Sequence, residues 1–177
     1  MKNLATIGYE DASIEDFIAT LKLANVERII DVRDVPTSRR KGFSKNQLSN
    51  ALASAGIQYV HLKALGDPKE GRKAARSGAI EEFKKIFSAH LRTKSARAGL
   101  AEAAELAKQG DSCLLCYERD HNVCHRTMVA DSIKYIVKLE IKHLGVRGGL
   151  SRHDKYVRIR KISRVGEGTP SCREVAR

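Results

Sequence analysis

The feature that most constrains the fold of this chain is a repeated exchange between short apolar runs and longer segments of helical periodicity. Apolar runs at 4–9, 28–32, 57–62, 112–117 and 141–146 have the length of strands. Between them, apolar side chains recur at every third or fourth position, as in the helix predicted from about Ser13. We therefore predict an α/β fold, a three-layer, doubly wound, mostly parallel Rossmann-like sheet with helices on both faces.

Local signals subdivide the chain further. Ser44 and Gln47 have the spacing of a capping box at a helix start, and Gly56 is placed to end that helix. Further helices are predicted over about 80–91, 100–110 and 124–139, while 66–78 is interpreted as a long polar loop, a candidate lid or substrate loop. We expect a core domain over 1–146 and a basic appendage over 147–177, with a strand or hairpin at 156–162 and a frayed tail.

The charge of the chain favours a polyanionic partner. Lys and Arg number 33 against 21 Asp and Glu, and the excess is concentrated in two regions, 69–97 and 141–177. Such regions suit phosphate groups, so an anionic small molecule or a nucleic acid is the expected partner, although a solvated basic surface explains the same excess. Aromatic residues make up 5% and Trp is absent, which argues against an extended base-stacking platform.

Other composition features point to a soluble protein of the cytoplasm without a membrane partner. The amino terminus lacks the apolar stretch of a signal peptide, and no run of the sequence is long enough to span a membrane. Four unevenly spaced cysteines do not form a disulfide scaffold. No dinucleotide fingerprint or P-loop is present, so the sequence names no cofactor, and it predicts no oligomeric state.

Polar side chains stand where the predicted strands end, and the carboxyl ends of parallel strands are where α/β proteins bind ligands. Because side chains alternate along a strand, Asp31 and Arg33 share one face, and so do Cys116 and Glu118. By the same rule Cys113 faces away from Cys116 and is interpreted as a core residue, not as half of a redox or metal pair. The residues at these ends are Gly8, Tyr9, Asp31, Arg33, His61, Cys116 and Glu118.

A helix predicted to open at Cys124, His125 and Arg126 adds an anion site to this edge. Free backbone N–H groups at a helix start attract anions, and an arginine strengthens the attraction. The same field is expected to lower the pKa of the Cys116 or Cys124 thiol. Glu118 is placed to act as nucleophile, as general base, or as the partner that orients Arg33 or Arg126.

The cysteine and histidine content of this segment also suits zinc. Cys116, His121, Cys124 and His125 offer two thiols and two imidazoles within ten residues. Their spacing matches no familiar zinc motif, so the sequence assigns no metal ligand, and a zinc-binding protein is the weaker alternative.

Several of these motifs resemble those of a known protein family. The chain resembles the domain-of-unknown-function family 488, through Thr6-Ile7-Gly8-Tyr9, Ile30-Asp31-Val32-Arg33 with Pro36-Thr37-Ser38, and the segment from Leu114 to Glu118 with Cys124-His125-Arg126. The resemblance covers about residues 4–140 and implies a compact α/β domain without an established reaction. It adds Ser38 to the expected site. Members often have Pro in the connection between Glu118 and Cys124, whereas this chain has His121 and no Pro there, a departure that weakens the zinc interpretation.

Two functions of different classes follow from these residues. The first is an enzyme, a hydrolase or transferase, acting on a phosphorylated, nucleotide or nucleic-acid substrate, and the alternative is a non-enzymatic nucleic-acid-binding module. For the enzyme, the candidate catalytic residues are Cys116, Glu118, Cys124 and Tyr9. The candidate substrate- or anion-binding residues are Gly8, Asp31, Arg33, Ser38, His125 and Arg126.

Overall fold

The computed structural model describes residues 3–152 and contains a five-stranded, wholly parallel sheet in the order β3-β2-β4-β1-β5. The strands are β1 (Asn3–Gly8), β2 (Arg28–Asp31), β3 (Gln58–His61), β4 (Ser112–Cys116) and β5 (Glu140–Leu144). The helices are α1 (Ile14–Leu23), α2 (Lys45–Ser54), α3 (Lys69–Arg76), α4 (Ile80–Leu91), α5 (Lys94–Gln109) and α6 (His125–Ile136), with a short 3-10 turn at Lys63–Leu65. The predicted α/β class and parallel sheet are confirmed.

Two apolar cores lie on opposite faces of the sheet and complete the three layers. On one face, Phe17 and Leu21 of α1 and Leu48 of α2 pack on the sheet. On the other, α3 to α6 cover it with side chains that include Phe87 and Ile133. This division is why the strands carry apolar residues at consecutive positions rather than at alternate ones.

The connections leave a crevice at the carboxyl end of β4. The helix that follows β4 packs on one face of the sheet, whereas the helices after its two neighbours, β1 and β2, pack on the other. Neighbouring connections that diverge in this way open a gap between them, and ligands of doubly wound proteins bind in such gaps. The fold therefore marks the end of β4 as the place to look for a site.

The segment predicted as a loop over 66–78 contains helix α3, so that prediction was wrong. The core-facing side of α3 consists of Gly71 and Ala74, which are too small to mark an apolar stripe, and the rest of the helix is mostly charged. The expected capping box at α2 is also absent. The Ser44 hydroxyl bonds to the backbone of Ser38, and Gln47 accepts from the Gly42 N–H. Gly56 does end α2, with a positive φ of 75°.

The predicted appendage begins against the core. The backbone N–H groups of Gly149 and Ser151 donate to the Asp16 carboxylate near the start of α1, at 2.8 and 2.9 Å. The bonds from Ser151, followed by the one from Gly149, lower the pKa of Asp16 to about 2. The strand predicted at 156–162 and the tail beyond it lie outside the described residues. Among the helices of residues 3–152, none has the length and apolar character to cross a membrane.

Candidate functional site

Four side chains from β4, the following loop and the start of α6 converge at the crevice. The ligating atoms of Cys116, Glu118, Cys124 and His125 all lie within 4.8 Å of one another. We call this group the Cys–Glu–His cluster. Strand alternation places Cys116 and Glu118 on one face, as expected, and Cys124 caps the helix that the sequence predicts. The pairing of Gly8 with Cys116 sets the end of β1 beside the cluster.

Glu118 lies at the centre of the hydrogen bonds within the cluster. Its Oε2 accepts from the Cys116 thiol at 2.9 Å and from the Cys124 thiol at 3.0 Å. The expected partners Arg33 and Arg126 do not reach this carboxylate, and within residues 3–152 it makes no salt bridge. The carboxylate is therefore held by two thiols in a largely buried setting.

The ring of His125 is oriented from another strand. Its Nε2 lies 2.8 Å from the carbonyl oxygen of Val32, and since a carbonyl only accepts, Nε2 carries a proton. The other ring nitrogen, Nδ1, faces the cluster and lies 3.5 Å from the Cys116 sulfur and 4.0 Å from the Cys124 sulfur. The end of β2 thus fixes which nitrogen faces the cluster.

Burial decides the protonation of the thiols. It raises the pKa of Cys116 and raises that of Cys124 well above the usual value, so the prediction that the helix start lowers a thiol pKa was wrong. Burial also opposes ionisation of Glu118, but the two thiol hydrogen bonds outweigh it and lower the pKa of this carboxyl. Burial also opposes a charge on His125, but its contacts with Cys124 and the Val32 carbonyl, together with the charge of Glu118, raise its pKa to about 9. In the metal-free cluster the thiols are therefore neutral, and a cationic His125 lies beside the Glu118 carboxylate.

The predicted pair Asp31 and Arg33 forms a buried framework beside the cluster. The guanidinium of Arg33 donates from Nε and Nη2 to both Asp31 oxygens, at 2.8 and 2.6 Å. Its Nη1 donates to the hydroxyl of Tyr9 and to the carbonyl of Phe43. Tyr59, which the sequence did not single out, donates its hydroxyl to Asp31 at 2.6 Å. Most donors of Arg33 are thus engaged inside the protein.

Arg126 is also engaged inside the protein. It is fully buried, and its guanidinium donates to the carbonyls of Glu118 and Arg119, with a longer contact to the Thr6 hydroxyl. It therefore holds the loop that carries Glu118 and does not line the cavity described next. Ser38 does line that cavity, and its hydroxyl accepts from the Arg40 N–H at 3.1 Å.

A cavity of about 1570 Å³ opens above the cluster. The buried and half-buried part of its lining, which we call the floor, includes Cys116, Glu118 and His125; Tyr9 and Arg33 also line the cavity, whereas Cys124 does not. Exposed and half-exposed cationic side chains from the loop after β2 and from α3 line its solvent-facing part, which we call the opening. Four of them have no ion pair within residues 3–152, and we call these four the basic rim: Arg39, Lys69, Lys73 and Arg76.

The basic rim was missed as a site by sequence reasoning, although its two segments were visible as charge. The triplet at 39–41 and the region 69–97 stand out by composition, and 66–78 was predicted to be a lid or substrate loop. Nothing in the sequence places α3 at the cavity that Cys116 lines, because that placement depends on the crossover from β3 to β4. Helix α3 contacts the loop after β2 through the ion pair of Arg72 with Asp34, at 2.6 Å.

Asp67 is a second acidic group in the cavity wall that the sequence did not indicate. It is buried, and its Oδ1 lacks a hydrogen-bond partner among the described residues. Burial raises its pKa to about 6, although the neighbouring charges of His125 and Arg72 work in the opposite direction. A buried, under-bonded carboxyl in a cavity is a common feature of functional sites.

Two residues named in the metal and redox alternatives lie apart from the cluster. Cys113 packs in the core under α1 and α2, as alternation predicts. His121 stacks on His143, with ring centroids 3.7 Å apart, and Glu118 takes the place in the cluster that the zinc alternative gave to His121.

The fold and the site together describe a parallel α/β protein that has a Cys–Glu–His cluster at the floor of a basic cavity. The chain belongs to the family described as domain of unknown function DUF488, whose model matches residues 13–133. This match confirms the resemblance and includes the whole cluster. No curated protein and no solved structure gives a significant match to the chain.

Proposed function

We propose that this protein is an enzyme that acts on a phosphate-bearing substrate, a nucleotide or a nucleic acid, at the Cys–Glu–His cluster. One observation carries the proposal. The three cluster residues that face the cavity lie on its floor, while the four free cations of the basic rim surround the same opening. The cations that attract a phosphate and the groups that can transfer a proton therefore line the same cavity.

The basic rim supplies the binding. Lys69, Lys73 and Arg76 lie on exposed positions of α3, and Arg39 approaches from the loop after β2. Cations that have no acidic partner keep their full attraction for phosphate, and a concave wall strengthens the field. The exposed ring of Tyr117 lies at the same opening, edge-on to Tyr9 at 5.4 Å, and offers a face on which a base can stack.

Glu118 supplies the proton transfer. Its carboxylate is ionised, held by two thiols, and directed at the cavity from a largely buried position. A general base must be ionised, held in a fixed orientation and within reach of the substrate. Glu118 is ionised, is held by two thiols and lines the cavity. The thiols of Cys116 and Cys124 are neutral and buried, so they are poor nucleophiles. Their role in this state is to hold the Glu118 carboxylate by hydrogen bonds.

Binding of labelled oligonucleotides, single- and double-stranded, measured by anisotropy over a range of salt concentrations, tests the first half of the proposal. Nucleoside monophosphates and inorganic phosphate serve as competitors. Reversal of the three rim charges on α3 (Lys69→Glu, Lys73→Glu, Arg76→Glu) should weaken phosphate binding at low salt and reduce the salt slope by about 2–3 for a nucleic acid.

The control is a variant with the same change of charge near the amino ends of the strands, at the opposite end of the sheet from the cavity. Lys22, Lys108 and Lys134 lie near the carboxyl ends of α1, α5 and α6, away from the cavity, and their reversal to Glu should leave binding largely intact. Equal losses in both triple variants, or no binding of any phosphate ligand at low salt, contradict the proposal. Binding without turnover across the ligand panel supports the nucleic-acid-binding module instead.

A further inference from the structure

The Cys–Glu–His cluster has the composition of a transition-metal site. It combines two sulfurs, one imidazole nitrogen and one carboxylate oxygen, the donor types that bind zinc. We propose that Cys116, Cys124 and His125, with the carboxylate of Glu118 as fourth ligand, bind one Zn²⁺ at the floor of the cavity. The inference rests on the proposed function only for the role of the metal, since the ligands alone define the site.

The spacing of the donor atoms fits a tetrahedral ion. Zinc binds sulfur at about 2.3 Å and nitrogen or oxygen at about 2.0–2.2 Å, so its ligand atoms lie about 3.3–3.8 Å from one another. The sulfur to oxygen distances of 2.9 and 3.0 Å and the sulfur to nitrogen distances of 3.5 and 4.0 Å bracket these values. Small side-chain shifts would therefore suffice to admit the ion.

The surroundings of the cluster match those of a metal ligand set. The Nε2–H of His125 donates to the Val32 carbonyl, the kind of outer hydrogen bond that fixes the tautomer of a zinc-bound histidine and leaves Nδ1 free to bind. The guanidinium of Arg126 donates to the carbonyl of Glu118 and so positions the loop of the fourth ligand. Both supports come from residues that are buried.

The balance of charge also favours the ion. Binding of Zn²⁺ displaces the two thiol protons and the Nδ1 proton of His125, all of which leave to solvent. The resulting two thiolates, one carboxylate and neutral imidazole give the zinc site a net charge of about −1. The buried guanidinium of Arg126 nearby offsets that charge.

The position of the site indicates what the metal does. Cys124 does not line the cavity, but Cys116, Glu118 and His125 do, so the ion is open to a substrate from one side. An ion in that place polarises a water or a phosphate oxygen as a Lewis acid. Displacement of the carboxylate by that oxygen frees Glu118 to accept a proton, which unites the metal site with the role proposed above.

Metal analysis of the full-length protein, purified without chelator in reducing buffer and dialysed with Zn²⁺, tests the site. We expect one zinc per chain in the wild type and in Cys113→Ala, but less than a tenth of that in Cys116→Ala and Cys124→Ala. Cys113 is the matched control, because it is equally buried on the same strand and faces the other core. Circular dichroism of each variant checks that it is folded.

Cobalt substitution of the wild type keeps the test decisive if the cysteine variants do not fold. A tetrahedral cobalt site with two thiolates gives a sulfur charge-transfer band and intense visible bands. Absence of zinc uptake, a weak octahedral cobalt spectrum, or equal loss of zinc in Cys113→Ala and Cys116→Ala overturns the proposal. A protein that holds zinc but binds no phosphate ligand refutes the proposed function and leaves the metal site standing.

Discussion

At the scale of single residues, the chemistry of the site is concentrated in Glu118. It is the negative group of the cluster, and its environment is built from two thiols instead of the arginines that the sequence suggested. Arg33 and Arg126 instead hold the polypeptide around it. Of these three charged residues, Glu118 is the one we propose as the general base, and the two arginines position the backbone.

Replacement of Glu118 by Gln should remove turnover without removing substrate binding. The amide keeps the shape of the side chain but cannot accept a proton, and loss of a general base lowers kcat by about 10²- to 10⁴-fold. Phosphate binding should stay within about threefold of wild type, because the basic rim is unchanged. Steady-state kinetics on any substrate found in the ligand panel measures both quantities.

Glu70→Gln is the matched control for that variant, because Glu70 lies at the same cavity but is exposed on α3. Its kcat should equal that of the wild type. Full activity in Glu118→Gln would exclude proton transfer by this residue.

Replacement of Tyr117 by Ala should separate ligands that carry a base from phosphate alone. The ring is 45% exposed at the cavity opening, and stacking of a base on an aromatic face contributes about 1–3 kcal/mol. Nucleotide affinity should therefore fall about tenfold, and phosphate affinity should not change. Competition titrations measure both, and Tyr135→Ala, at a ring that is 94% exposed on α6, should alter neither.

Asp67 should make the unfolding free energy depend on pH. Its folded pKa of about 6 lies above the usual 3.8, so the native state binds more protons than the unfolded state between these values. The contribution of Asp67 to stability is therefore present below about pH 4 and is lost as the pH rises through 6. Burial of its charge at pH 7 costs about 2–3 kcal/mol.

Asp67→Asn removes that cost, so urea unfolding at pH 7 should show the variant to be more stable than the wild type by about that amount. At pH 4 the two proteins should have nearly the same unfolding free energy. A wild type that is the more stable protein at pH 7 would show that the carboxylate has a stabilising partner.

At the scale of elements, the ends of β1 and β4 determine where Glu118 lies. Gly8 pairs with Cys116, and beyond it the backbone N–H of Glu10 donates to the Tyr117 carbonyl at 2.9 Å. A Cβ on Gly8 would meet the Glu118 carbonyl oxygen at a distance no real side chain tolerates. The glycine is thus required by the close approach of the loop.

Gly8→Ala should displace the loop after β4 and destabilise the protein. Overpacking of a buried position costs about 1–3 kcal/mol, and here the obstacle is backbone, which cannot rotate away. Thermal unfolding measures the loss, and metal content should fall with it because Glu118 moves. Gly145→Ala is the control, since a Cβ there meets nothing within 4 Å, and an equal loss in both variants would contradict the steric explanation.

At the scale of the whole molecule, the cluster joins elements that are distant in the chain. Its ligands come from β4, a loop and α6, and His125 is tied to Val32, 93 residues away. An ion bound at the cluster would need all of these elements in their folded positions, so it would bind the native state and not the unfolded chain. Ligands that bind the folded state alone increase its stability in proportion to the logarithm of their concentration.

Chelation of zinc should therefore lower the melting temperature. At free zinc a thousandfold above Kd the bound ion contributes about 4 kcal/mol, and each kcal/mol shifts Tm by about 2–4 °C in a chain of this size. Differential scanning calorimetry with and without chelator measures the shift. Cys116→Ala, which lacks a ligand, should show no chelator effect, and an equal effect there would point to metal bound elsewhere.

Much of the architecture follows from local patterns in the sequence. Strand and helix periodicity predicts the parallel sheet, and alternation along β4 correctly separates Cys113 from Cys116. The helix start at Cys124 was also predicted. Helix α3 was not, because its core-facing residues Gly71 and Ala74 are too small to mark an apolar stripe. The roles of Asp67 and Tyr59 were not predicted either, since they depend on neighbours far along the chain.

The layers, the strands and the end of the sheet at which the polar residues gather could be predicted from the sequence, because they depend on side-chain spacing within single elements. The contacts of each polar group could not be predicted in this way. The fold brings α3 to the cavity that Cys116 lines, the Val32 carbonyl to His125, and two thiols to Glu118. Contacts of that kind join separate elements, and no local periodicity encodes them.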